Sequence, residues 1–139
     1  MKISVLGSGM VGQTIAAKLV TLGHDVVVGT RTPAKLQDWL ASVAHKARVG
    51  SFAESAAHGE IVINATSGTG SLEALALAGA ANLDGKILID IANPLDFSQG
   101  MPPSLSISNT DSLGEQIQRT FPGTKVVKTL NTMNAYLMV

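Results

Sequence analysis

Lys2-Ile3-Ser4-Val5-Leu6-Gly7-Ser8-Gly9-Met10-Val11-Gly12 opens the chain, and its reading decides the fold. A short apolar run ends in three glycines spaced Gly-x-Gly-x-x-Gly, after which Ile15, Leu19 and Leu22 recur at helical spacing up to Gly23. Val26-Val27-Val28 makes a second apolar run, closed by Gly29-Thr30-Arg31. Strand, glycine turn, helix and strand in that order predict a βαβ unit of the mononucleotide-binding kind. The glycine spacing alone is a weak signal. A strand before it and a helix after it make it a strong one.

Each residue type has a physical reason to be there. Gly7 permits the tight turn off the strand, Gly9 lets the backbone approach a pyrophosphate, and Gly12 lets helix and strand pack closely. The helix start then presents free N–H groups and the positive end of its dipole to the phosphates, with Ser8, Met10 and Val11 completing the loop. A NAD site usually carries Asp or Glu at the end of the second strand to bond the ribose 2′-hydroxyl. Here Thr30 and Arg31 stand there instead. A 2′-phosphate would be repelled by an acid and held by a guanidinium and a hydroxyl, so the expected cofactor is NADP(H). Lys35, one helical turn beyond Arg31, suits either the same phosphate or a solvated helix face.

Composition narrows the class. The 139 residues fit one domain, able to bury about two thirds of the extended chain's surface. Ten basic and ten acidic residues cancel, so nothing in the charge calls for nucleic acid or an anionic membrane. Charged residues make up only 14% and apolar ones 45%, the profile of a sheet buried on both faces. Cysteine is absent, which removes disulfides, thiolate metal sites and thiol nucleophiles. The first strand begins at residue 2, leaving no signal peptide, and no apolar run approaches the ~20 residues of a membrane span. The expectation is a cytoplasmic protein.

Further along, Thr32-Pro33 predicts a helix start, with Leu36, Trp39, Leu40 and Val43 on its apolar face. Residues 46–49 read as a short strand, and Ser51 with Glu54 as a capping box opening a helix that ends near Gly59. Ile61-Val62-Ile63 is a buried strand, 71–81 a helix, and 86–90 the next strand. A loop carrying Asn93-Pro94 and Met101-Pro102-Pro103 follows, then a helix from about Ser112 with Leu113, Ile117 and Phe121 on one face. Residues 125–130 make a last strand. Strands alternating with helices at this rhythm predict an α/β, doubly wound, mostly parallel sheet in three layers, a Rossmann fold over residues 1–139. Tyr136-Leu137-Met138-Val139 is apolar and uncapped, reading as the start of a segment that continues, or as an edge covered by a partner.

In an open α/β sheet the ligand lies beyond the carboxyl ends of the strands. Three such ends carry small polar residues: Ala65-Thr66-Ser67-Gly68, Ala92-Asn93-Pro94 and Thr129-Leu130-Asn131-Thr132. These would suit a nicotinamide held by hydroxyl and amide groups, though Ser, Thr and Asn serve turns and caps equally well. Hydride transfer requires no protein nucleophile, and no catalytic side chain is singled out. His24, His45 and His58 lack metal-ligand spacing and fall near helix ends, so no metal is expected.

The glycine loop with Gly29-Thr30-Arg31, and then Lys128-Thr129-Leu130-Asn131-Thr132-Met133-Asn134, resemble the NADP oxidoreductases that use a deazaflavin coenzyme. The first motif is shared with many β-hydroxyacid dehydrogenase-like proteins; the second is more specific. The resemblance implies a phosphate loop at 8–12 and a 2′-phosphate site at Thr30, Arg31 and Lys35. It places Thr66, Ser67, Asn93 and Asn131 around the nicotinamide, with a deazaflavin or flavin-like molecule as co-substrate. It also implies a further helical segment beyond this chain that completes the acceptor site and a homodimer. Two other readings stay open on the residues: a reductase of small hydroxy acids, ketones or imines, and a non-catalytic NADPH-sensing module.

Overall fold

The computed structural model describes residues 1–44 and 46–139. In chain order the elements are β1 (Lys2–Leu6), α1 (Met10–Thr21), β2 (Asp25–Gly29), α2 (Gln37–Ser42), β3 (Arg48–Gly50), α3 (Phe52–His58) and β4 (Ile61–Asn64). They continue with α4 (Ser71–Ala78), α5 (Ala80–Leu83), β5 (Ile87–Asp90), β6 (Leu95–Asp96), β7 (Ser104–Leu105), α6 (Leu113–Thr120) and β8 (Lys125–Lys128). Six strands form one parallel sheet in the order β3-β2-β1-β4-β5-β8, so the fold is the three-layer α/β Rossmann type expected. The order reverses between β1 and β4. That is the switch point where such sheets open a cleft.

Alternation along the strands builds two cores. Ile3 and Val5 of β1 join Val26, Val28 and Ile63 under α1, with Leu36 closing the far side. Leu6 turns the other way and joins Val62, Leu75, Leu83, Leu88 and Ile117 under the remaining helices. Each fully buried aliphatic side chain of this kind contributes about 1.5–3 kcal/mol. The one polar residue facing inward from mid-β1, Ser4, bonds Ser55 Oγ of α3 at 2.7 Å, and Ser55 bonds the Val27 carbonyl at 2.8 Å. Buried hydroxyls are thus satisfied by each other and by backbone.

Several boundaries depart from the sequence reading. Thr32 does not cap a helix; Pro33–Leu36 is a 3-10 turn, and the α-helix begins only at Gln37. Trp39 is half-buried against the α1-side core. The helix expected over 71–81 is broken at Gly79, whose φ of 90° starts a second short helix. The last strand stops at Lys128, because Leu130 turns into the left-handed region at φ 59°. Inside the expected loop, β6 and β7 pair as a small antiparallel hairpin. Two-residue strands carry no periodicity to read. The capping box does form: Ser51 Oγ accepts the Glu54 N–H at 3.2 Å, and Glu54 Oε2 accepts the Ser51 N–H at 2.7 Å. His45 lies outside the described residues.

Candidate functional site, a cleft at the switch point

The turn after β1 is held open by its own packing. Gly7 has a φ of 119°, and a Cβ there would sit 2.5 Å from the Ala65 carbonyl oxygen. A Cβ on Gly12 would fall 2.2 Å from the Gly7 carbonyl oxygen, so helix α1 can lie this close to the turn only with glycine. Gly9 is different. Its backbone is ordinary extended chain, and a Cβ there would meet nothing within 4 Å. Protein packing therefore gives no reason for glycine at position 9, whereas a ligand lying on that open side does. The α1 N-terminus beyond it has no side-chain cap and no acidic residue in its first turn. Uncapped N–H groups at the positive end of a three-turn helix make a fitting seat for a phosphate.

The cleft in front of this turn is lined by Gly7, Ser8, Gly9, Thr30, Arg31 and Thr66, among others. Thr30 is buried, and its Oγ1 lies 3.0 Å from Ser8 Oγ while accepting the Thr32 N–H at 3.2 Å. That hydroxyl thus ties the glycine turn to the end of β2. Arg31 is exposed and makes no ion pair among the described residues, so its guanidinium is available to an anion in the cleft. Lys35 sits on the exposed 3-10 turn and does not line the cleft. Met10 is exposed at the first position of α1. Val11 faces the other end of the cleft with Thr66, Ser67, Asn93 and Asn131.

That second end is where the loops after three of the strands, β4, β5 and β8, come together. Asn131 Nδ2 donates to Asn93 Oδ1 at 3.2 Å, and Asn93 Nδ2 donates back to the Asn131 carbonyl. The two asparagines are therefore committed largely to one another, joining the loops after β5 and β8. Gly68 N donates to the Asn93 carbonyl at 3.0 Å, bringing in the loop after β4. Apolar walls come from Leu95, Phe97, Met133 and Met138. A polar floor with apolar walls suits a flat ring that carries a polar substituent.

Sequence reasoning missed part of the lining. Phe52, Glu73, Ala74 and Leu77 complete the end nearest Arg31, although nothing in α3 or α4 marks these residues as ligand-binding in the sequence. It also passed over Asp90 and Lys128, which meet at 2.9 Å. A carboxylate ending the apolar run Ile87-Leu88-Ile89 was the available signal. Among the described residues no group of three or more His, Asp or Glu clusters as metal ligands would. No helix among them is long and apolar enough to cross a membrane.

Comparison with known proteins gives this geometry a family. A crystal structure from Arthrobacter sp. FB24, provisionally described as an F420-dependent NADP-reductase, is 60% identical and superposes with a TM-score of 0.95. The match covers all of this chain and 66% of that one. Rat metalloreductase STEAP3 is 29% identical over 137 residues, 99% of this chain but 26% of the rat protein. The Streptomyces aurantiacus imine reductase, at 19% identity and a TM-score of 0.69 over 92% of this chain and 40% of its own, shares the fold. This chain thus spans about two thirds of the Arthrobacter protein and a quarter of the rat one. Residues 2–94, a span that takes in the glycine loop, Arg31, Thr66 and Asn93, match one family model, and the chain belongs to that family, the coenzyme F420-dependent NADP oxidoreductases.

Proposed function

We propose that this chain is the cofactor-binding part of a reductase that passes a hydride between NADPH and a deazaflavin or flavin-like acceptor. The observation that carries the reading is the pairing of Gly9's open side with an unpaired Arg31 in a single cleft. A pyrophosphate would lie along Gly7, Ser8, Gly9, Met10, Val11 and Gly12, on the uncapped start of α1. Arg31 and Thr30 would hold the 2′-phosphate, with Lys35 contributing charge from the neighbouring turn. Thr66, Ser67, Asn93 and Asn131 would border the nicotinamide. The hydride is the chemistry that the nicotinamide supplies when bound. The chain's own residues bind, orient and exclude water. Within this reading the protein works as a homodimer, as the family resemblance implies, in the cytoplasm.

Calorimetry with NADPH and NADH tests the cofactor. Arg31→Glu should weaken NADPH by about 1.5–3 kcal/mol, the range for a hydrogen bond to a charged group, and spare NADH. Equal loss for both nucleotides, or none, removes the 2′-phosphate assignment. The acceptor is tested by following NADPH absorbance with deazaflavins and flavins. Oxidation by a small ketone or imine instead would replace the acceptor reading. Tight NADPH binding without turnover on any acceptor would favour the sensing module.

A further inference from the structure

Three side chains with no solvent exposure, Asn64, Ser71 and Asp90, meet at the carboxyl ends of β4 and β5. Buried polar groups are costly unless satisfied, so their arrangement carries information. The Asp90 carboxylate accepts from three donors: Lys128 Nζ at 2.9 Å, Asn64 Nδ2 at 2.9 Å and the Ala92 N–H at 3.2 Å. Lys128 also donates to the Ala92 carbonyl. Asn64 gives its other Nδ2 hydrogen to Ser71 Oγ at 3.0 Å. Its Oδ1 faces Thr66 Oγ1 at 2.7 Å and the Thr66 N–H at 3.4 Å.

This chain of bonds has only one sense. Reversing the Asn64 amide would set its oxygen against the Asp90 carboxylate and its N–H against the Thr66 N–H. Asn64 Oδ1 is therefore an acceptor, and the Thr66 hydroxyl spends its single proton inward. The neighbouring Ser71 Oγ, 2.9 Å from Thr66 Oγ1, does not alter this, since a bond to it also points inward. Toward the cleft, Thr66 can offer only a lone pair. Asn93 and Asn131 are bonded to each other and Ser67 is exposed, whereas Thr66 is the side chain here whose polarity a buried network sets.

We propose that a relay from Lys128 through Asp90 and Asn64 fixes Thr66 as a hydrogen-bond acceptor for the carboxamide N–H of a bound nicotinamide. Lys128, Asp90 and Asn64 are then positioning residues, acting through Thr66. The proposal rests on the NADP reading given above.

Three ligands separate the two ideas: adenosine 2′,5′-bisphosphate, NADP+, and the 3-acetylpyridine analogue of NADP+, in which a methyl replaces the carboxamide NH2. Binding is followed by calorimetry, and folding by circular dichroism. The wild-type protein should prefer NADP+ over the analogue by about three- to tenfold, the worth of one neutral hydrogen bond. Thr66→Val, Asp90→Asn and Lys128→Met should bring that ratio toward one, while Lys128→Arg preserves it. Affinity for adenosine 2′,5′-bisphosphate should stay level throughout, a separation that a merely structural role would not produce. If Asp90→Asn fails to fold, Thr66→Val and Lys128→Met still decide the matter. A wild-type protein that binds the bisphosphate yet treats NADP+ and the analogue alike overturns the proposal and leaves the NADP reading standing. Loss of preference in Thr66→Val but not in folded Lys128→Met overturns the relay. No binding of the bisphosphate by the wild type overturns both.

Discussion

Gly7, Gly9 and Gly12 are indistinguishable by type and are held by different forces. A Cβ at 12 would collide with backbone at 2.2 Å, whereas one at 9 would enter open space. Gly12→Ala is therefore expected to lose about 1–3 kcal/mol of stability through overpacking, read as a lowered urea midpoint. Gly9→Ala should keep the wild-type midpoint and weaken NADPH by at least about tenfold, a loss of 1.4 kcal/mol. Calorimetry beside denaturation separates the two; a Gly9→Ala protein that binds normally would show that no ligand lies along that face. Much at this scale was legible in the chain. The three glycines, Arg31 and the strand-end residues Thr66, Asn93 and Asn131 were marked by type and spacing. Thr30 was not so simple, because its pairing with Ser8 joins residues 22 positions apart in the chain. Asp90, Asn64 and Lys128 escaped for the same reason: a buried network is defined by contacts between strands, not by any one segment.

At the scale of elements, α6 shows how a local signal and a longer-range tie combine. Ser112 Oγ accepts the Glu115 N–H at 3.2 Å and so caps the start of the helix. Asp111, just before it, reaches along the helix to Arg119 Nη2 at 2.7 Å and accepts Gln116 Nε2 at 3.0 Å. The hydrogen bond from Arg119, followed by that from Gln116, holds the Asp111 carboxyl down from its usual 3.8 to about 2. A carboxylate lowered in the folded state stabilises fully above its unfolded pKa, and that contribution is lost as pH falls through the folded value. Asp111→Asn should therefore be less stable than wild type at neutral pH, with the gap closing as pH falls from about 4 through about 2. Urea midpoints at pH 7 and pH 2 measure it, and a gap of equal size at both would contradict the assignment. Because Arg119 is exposed and Asp111 only half-buried, the tie is modest. The packing of Leu113, Ile117 and Phe121 into the core does more to hold the helix.

For the molecule as a whole, the cleft exists because six parallel strands reverse their order between β1 and β4. A cofactor spanning that break would contact the loops after β1, β2, β4, β5 and β8 together, so binding should stabilise the domain as a unit. NADPH at one hundred times its Kd adds about 2.7 kcal/mol, a rise in Tm on the order of 10 °C for a domain of this size. NADH at the same concentration should give a smaller rise, and Arg31→Glu should abolish the difference. Thermal denaturation with each nucleotide checks this, and equal rises in the wild type would count against a 2′-phosphate site.

Periodicity, turn chemistry and the glycine spacing act within a few residues, and they were enough to specify the βαβ opening, the alternation of strands and helices, and the basic end of β2. Which strands would be neighbours was a different matter, since it depends on how the two apolar faces of each strand find cover, and no local pattern encodes that. Packing also broke the helix at Gly79, stopped β8 before Leu130 and paired β6 with β7. Only in the folded molecule do Asn64, Asp90 and Lys128 converge from three strands. The orientation of the Asn64 amide follows from burial beside the Asp90 carboxylate, and it turns the proton of Thr66 inward.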